Sequence, residues 1–131
     1  MKKRIAIDSM IVIYLLQQLP LNERIYKHLE AAEEVIFSAF GVGEVLTGFE
    51  KNNDLEGKLA FFAFMEAQEN LHIPLFGQQE ALIFAKLRSK YPSVKSPDAI
   101  HLATAISAQA GAFLTNDKGL LKVKEIKIVQ I

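Results

Sequence analysis

The chain has 131 residues, half of them hydrophobic and 23% charged, a globular composition long enough to bury about two-thirds of the surface it would expose unfolded. It has no cysteine, which excludes disulfides, thiolate-bound zinc and cysteine nucleophiles. Net charge is zero, yet residues 1–85 carry seven Lys and Arg against twelve Asp and Glu, and residues 86–131 carry eight against three; such asymmetry permits a polyanionic partner.

The longest apolar runs, Met10–Leu16 and Leu59–Met65, are seven residues each, far short of the ~20 a membrane-spanning helix needs. Lys2-Lys3-Arg4 precedes an apolar stretch as in a signal peptide, but Asp8 interrupts it and no small-residue cleavage pattern follows Leu16. The expectation is one soluble, cytoplasmic domain over residues 1–131.

In chain order, Arg4–Ile7 reads as a short buried strand, and Asp8-Ser9 as cap chemistry for a helix from Met10 to about Gln18. Pro20 stops that helix, and Asn22 caps another through about Glu33. Val35–Phe37 is a second strand, followed by a helix from about Gly41 to Glu50. The polar run Lys51–Asp54 breaks the chain before a longer helix from Leu55 to about Asn70. Leu71–Leu75 is a third strand and Gln78 to about Lys90 a helix. Pro92 and Pro97 bracket a loop, Asp98 opens a helix to about Ala110, and Gly111 ends it. Ala112–Leu114 and Ile126–Ile131 complete the strands. Continuous apolar strands alternating with helices predict a parallel α/β sheet covered on both faces.

Sites in open parallel sheets form beyond the carboxyl ends of the strands. Asp8 follows the first strand and Asp117 the fourth; Glu44 lies in the first turn of the helix after the second, and Asp98 begins the helix leading to the fourth. Each acid has an ordinary structural use: a cap for Asp8 and Asp98, dipole compensation for Glu44, a turn for Asp117. Four such acids directed to one rim are harder to explain that way.

These residues resemble a known family, the PIN-domain nucleases. The resemblance rests on Ile5-Ala-Ile-Asp8-Ser9, Ser38 to Glu44 with Leu46 and Gly48, Ser96-Pro-Asp98-Ala-Ile-His-Leu-Ala-Thr-Ala105, and Phe113-Leu-Thr-Asn-Asp117, with the acids 36, 54 and 19 residues apart in order. It implies a three-layer α/β/α fold with a parallel four- or five-stranded sheet, and a metal-dependent endoribonuclease. Among PIN proteins a single short domain resembles a VapC-type toxin, usually a homodimer inhibited by an antitoxin. A stand-alone RNA-processing nuclease, or a PIN-like module that only binds RNA or protein, is the alternative. A phosphoacceptor receiver domain would need paired acids after the first strand and an acid after the third, and a dehalogenase-type phosphatase an acid at Met10; neither pattern is present.

If the four carboxylates converge, two charges about 5 Å apart repel by roughly 3 kcal/mol at an effective dielectric of 20, so the site must take up protons or a cation. Oxygen donors favour Mg²⁺ or Mn²⁺. The expected ligands are Asp8, Asp98 and Asp117, with Glu44 acting through water or at a second ion. Thr115 either supports an acid by hydrogen bonding or is simply a β-branched strand residue, and Ser9 and Asn116 are further candidates that a cap and a turn also explain. His101, on the same helix face as Asp98, could touch substrate or orient an acid, although packing is its expected use. The stretch Lys86, Arg88, Lys90, Tyr91 and Lys95 offers cations for RNA phosphates and one ring for stacking. In the helix from Leu55, apolar positions sweep an arc of about 220°, more than a one-sided helix uses; Leu55, Leu59 and Phe62 are expected to face the sheet, leaving Phe61 and Phe64 for a neighbouring helix or a partner.

Overall fold

The computed structural model describes residues 3–17 and 23–131. Its strands are β1 (Arg4–Ile7), β2 (Glu34–Phe37), β3 (Leu71–His72), β4 (Ala112–Thr115) and β5 (Lys127–Gln130); its helices are α1 (Ser9–Leu16), α2 (Glu23–Ala31), α3 (Ala39–Lys51), α4 (Leu55–Ala67), α5 (Gln78–Lys90) and α6 (Ser96–Ser107). The five strands form one sheet in the order β3-β2-β1-β4-β5, every pair parallel.

Alternation along the strands sends side chains to both faces. Ile5, Ile7, Val35, Phe37, Ala112 and Leu114 point to the side covered by α1 to α4, where Ile11, Val12, Ile25, Val45 and Phe61 meet them. Ala6, Ile36 and Phe113 point the other way, against Leu87 of α5 and Ala99, Leu102, Ala103 and Ala105 of α6. The result is a three-layer α/β/α arrangement. Among the described residues, no helix is long and apolar enough to cross a membrane.

Several boundaries differ from the sequence expectation for identifiable reasons. Helix α3 begins two residues before Gly41 because the Ser38 hydroxyl accepts the Gly41 N–H at 2.9 Å and caps it. Pro97 lies in the first turn of α6 rather than bounding a loop, a turn where its missing N–H removes no intrahelical bond. Strand β3 pairs only at Leu71 and His72 before the chain turns through Ile73–Gly77. The roles expected for Gln18, Pro20 and Asn22 fall outside the described residues.

Helix α4 is rotated from its expected setting. Phe61 is fully buried and Phe64 and Met65 pack on the same core, whereas Leu55, Leu59 and Phe62 are 62%, 59% and 43% exposed. A helix apolar around most of its circumference gives periodicity nothing with which to choose a face. Gly57 is the missed signal: a Cβ there would sit 2.6 Å from the Phe49 ring of α3, so the Gly57–Phe61–Phe64 side is the one that approaches a neighbour closely. Phe49 and Phe61 meet with ring centroids 6.3 Å apart. Accordingly Phe61→Ala should lower unfolding free energy by about 3–5 kcal/mol in urea titrations, and Leu59→Ala should stay within about 0.5 kcal/mol of the parent; equal losses would contradict this packing.

Candidate functional site

Strand β1 is flanked by β2 and β4, and the connections after β1 and β4 run to opposite halves of the sheet, which opens a crevice where their carboxyl ends meet. Ile7 is level with Leu114, and the Asp8 N–H donates to the Leu114 carbonyl at 3.2 Å. Asp8 then caps α1, its Oδ1 accepting the Ile11 N–H at 3.2 Å. Its other oxygen accepts the Thr115 hydroxyl at 2.7 Å. Thr115 is buried at the end of β4, and its Oγ1 also accepts the Asp117 N–H at 3.1 Å. One threonine hydroxyl thus ties the first acid to the backbone of the last. Asp117 opens a short 3₁₀ turn, its Oδ1 accepting the Gly119 N–H at 2.8 Å.

Glu44 reaches the crevice from the second turn of α3, not the first, because the helix starts early. The start of α3 lies tight on the end of β2: a Cβ at Gly41 would be 2.5 Å from the Phe37 ring. Glu44 Oε1 accepts two hydrogen bonds, from Ser9 Oγ at 2.6 Å and His101 Nε2 at 2.7 Å. His101 Nδ1 lies 2.5 Å from Ser38 Oγ. The histidine side chain is 3% exposed, and the Phe40 ring meets it edge-on at 5.8 Å. Of the two uses expected for His101, packing alone does not describe it: both of its nitrogens are engaged, one by a cleft acid. Ser38 opens the segment Ser38 to Glu44 named from sequence but is given no site role there; its capping role is readable locally, whereas its pairing with a residue 63 positions away is purely tertiary.

Asp98 lies in the first turn of α6, whose cap position is Lys95, so it is not the cap residue itself. No hydrogen bond to its carboxylate is found among the described residues. Asp8, Ser9, Met10, Ile13, Glu44, Asp98, His101, Asn116 and Asp117 line one cleft of about 330 Å³, so all four sequence-selected acids come together. Asn116 borders the cleft but donates at 3.4 Å to the Tyr14 hydroxyl rather than to an acid, unlike Thr115 and Ser9.

Burial pushes the Asp98 carboxyl above the usual carboxylate range, and the negative charges of Asp117, Asp8 and Glu44 push it further against the opposing pull of His101. Asp8 is also raised, by burial that outweighs its bonds from Thr115 and Ile11. The cleft therefore crowds four carboxylates together with His101 only partly offsetting them, and oxygen donors of this kind suit a hard divalent cation. Among the described residues, no group of three or more His, Asp or Glu side chains is arranged to hold an ion alone. An ion that retains several waters, as Mg²⁺ does, fits such a donor set.

Most of the basic stretch is committed elsewhere. Arg88 donates to the carbonyls of Pro92 and Val94 and holds the loop before α6. Lys90 pairs with Glu125 at 3.2 Å, and the Tyr91 hydroxyl donates to Glu125 at 2.7 Å, a contact that holds the Glu125 carboxyl below its usual range. Tyr91 is half-buried against the core beneath α5 and α6, which leaves its ring poorly placed for stacking. Lys86 and Lys95 are exposed.

The sequence matches the PIN domain family over residues 5–126. The chain belongs to the PIN-domain family. Comparison with curated proteins gives no match. Among solved structures, the PIN fold of this chain is shared with VapBC2 from Rickettsia felis bound to a promoter DNA fragment, at 17% identity over 98% of both chains and a TM-score of 0.81. A toxin–antitoxin complex from Klebsiella pneumoniae is similar at 24% identity over 95% of both chains, with a TM-score of 0.70. VapC20 of Mycobacterium tuberculosis, a sarcin–ricin loop cleaving toxin, is similar at 14% identity over 94% of this chain and 98% of its own, with a TM-score of 0.66.

The raised pKa of Asp98 has a consequence for stability. The folded protein holds that proton more tightly than the unfolded chain does, so stability falls as pH rises through the carboxylate range. In EDTA at pH 7, Asp98→Asn should melt no lower than the parent, and its advantage should shrink as pH is lowered and Asp98 takes up its own proton. A melting temperature well below the parent at pH 7, by differential scanning fluorimetry, would contradict the crowded-acid description.

Proposed function

We propose that this PIN domain hydrolyses RNA phosphodiester bonds with the help of Mg²⁺ or Mn²⁺, and that it is the toxin of a toxin–antitoxin pair. The observation that carries the reading is the meeting of Asp8, Glu44, Asp98 and Asp117 around one cleft at the switch point of the sheet. Asp98, which accepts no hydrogen bond among the described residues, would bind a cation with Asp8 and Asp117, directly or through water; Glu44 would act through water or at a second ion. When bound, such an ion supplies positive charge against the phosphate and lowers the pKa of a water. The chain's own residues orient that chemistry: Thr115 fixes the Asp8 carboxylate and the Asp117 backbone together, and α1 holds Asp8 at its N-terminus.

RNA as substrate and an antitoxin as partner are supported by the shared fold with VapC20, an RNA-cleaving toxin, and with toxin–antitoxin complexes. Lys95, three residues before Asp98 and exposed, is the best-placed member of the basic stretch to meet a phosphate. A homodimer in the cytoplasm completes the proposal.

Among the described residues His101 is the only histidine lining the cleft, and both of its nitrogens already have partners, Ser38 and Glu44. In this reading water rather than the ribose 2′-hydroxyl would attack, and the products should carry 5′-phosphate and 3′-hydroxyl ends. Incubation of a mixed RNA pool with Mg²⁺ or Mn²⁺ should give cleavage that EDTA abolishes. Asp8→Asn, Asp98→Asn and Asp117→Asn should each reduce it at least about 100-fold, the upper range for loss of a supporting group at a metal site, while far-ultraviolet circular dichroism stays unchanged. Full activity of Asp8→Asn, or 2′,3′-cyclic phosphate ends, would overturn the mechanism.

A further inference from the structure

The bonds around Glu44 have only one self-consistent direction when the histidine ring is neutral. A carboxylate oxygen accepts and cannot donate, so the hydrogen facing Glu44 Oε1 belongs to His101 Nε2. The bare Nδ1 then accepts from the Ser38 hydroxyl, whose own lone pair accepts the Gly41 N–H at 2.9 Å. Each N–H or O–H hydrogen in the series Gly41–Ser38–His101–Glu44 is donated once, and the Ser9 hydroxyl adds a second donor to the same Oε1. The series begins at the backbone of α3, crosses to α6 and returns to α3, so it spans two helices that cover opposite faces of the sheet.

Glutamate is the longest of the four cleft acids, with three side-chain torsions to fix, and it lies more than a full turn further from its strand end than Asp8 and Asp117 do from theirs. Both bonds fall on Oε1; none to Oε2 is found among the described residues. We propose that His101, with its tautomer set by Ser38, is a positioning residue that holds Glu44 so that Oε2 faces the cleft and the ion expected there. Outer-shell donors of this type orient a ligand without touching the metal. The inference rests on the metal-dependent reading above and adds to it which residues make Glu44 effective.

The test is a double-mutant cycle on Mn²⁺ affinity, measured by isothermal titration calorimetry and Mn²⁺ electron paramagnetic resonance on the full chain, with RNA cleavage in parallel. His101→Ala should weaken Mn²⁺ binding about 10-fold or more and lower kcat more than KM. His101→Gln, whose amide can still donate toward Glu44, should recover part of both. In a Glu44→Ala background, the same His101 substitutions should change Mn²⁺ affinity little. Because His101 is buried and its truncation could unfold the chain, Ser9→Ala, at a partly exposed position, removes the second donor to Oε1 and should weaken Mn²⁺ binding two- to five-fold with an unchanged melting temperature. If His101 and Ser9 substitutions leave Mn²⁺ affinity intact in folded protein, or if the His101 effect persists without Glu44, the positioning role is wrong while the nuclease reading stands. If the parent itself neither binds Mn²⁺ nor cleaves RNA, the underlying reading is what fails.

Discussion

The parallel pairing of β1 with β4, with Ile7 level with Leu114, determines how far apart the first and last acids stand, and the remaining geometry follows from it. Both strands end together, so Asp8 and Thr115 emerge side by side and the threonine hydroxyl can reach the Asp8 carboxylate while receiving the Asp117 N–H. No loop conformation has to be invented to bring them together. Glu44 and Asp98 are carried to the same place by helices packed on opposite faces of the sheet, and the buried His101–Ser38 contact joins those helices directly. Small residues make the approach feasible: Ala99, Ala103 and Ala105 are fully buried along α6, and only glycine fits against Phe37 at position 41.

This convergence opposes stability. Burial raises Asp8 and Asp98, and for Asp98 the neighbouring acids raise it further; a fold selected only for stability would place apolar or paired groups there. The ordinary uses of these residues are also real. Asp8 does cap α1 and Asp117 does open a turn, so capping and site chemistry are served by the same carboxylates. Asp98 differs in that no cap bond and no hydrogen bond among the described residues holds it; its place in the first turn of α6 suits the helix dipole, while burial and the neighbouring acids oppose its charge. It marks the cleft as a place where charge is kept available.

The elements and the four acids were legible because their signals are local: apolar runs for the strands, Asp8 and Asp54 before their helices, acids next to strand ends. What the sequence hid was relational. The face of α4 could not be chosen while apolar residues surrounded it, and Gly57 became informative only with Phe49 beside it. His101 looked like packing because its partners, Ser38 and Glu44, lie 63 and 57 positions away. The basic run before Asp98 reads equally as a surface for RNA phosphates or a solvated face, and the contacts of Lys90 with Glu125, 35 residues on, and of Arg88 with the carbonyls of Pro92 and Val94 come only with the fold.

The acidic cleft where β1 and β4 end is proposed as a cation site. Anomalous diffraction from crystals soaked in millimolar Mn²⁺ tests it most directly. A manganese peak is expected inside the cleft, coordinated directly or through water by Asp8, Asp98 and Asp117 with Glu44 alongside. Fully occupied manganese elsewhere on the surface with none in the cleft would contradict it.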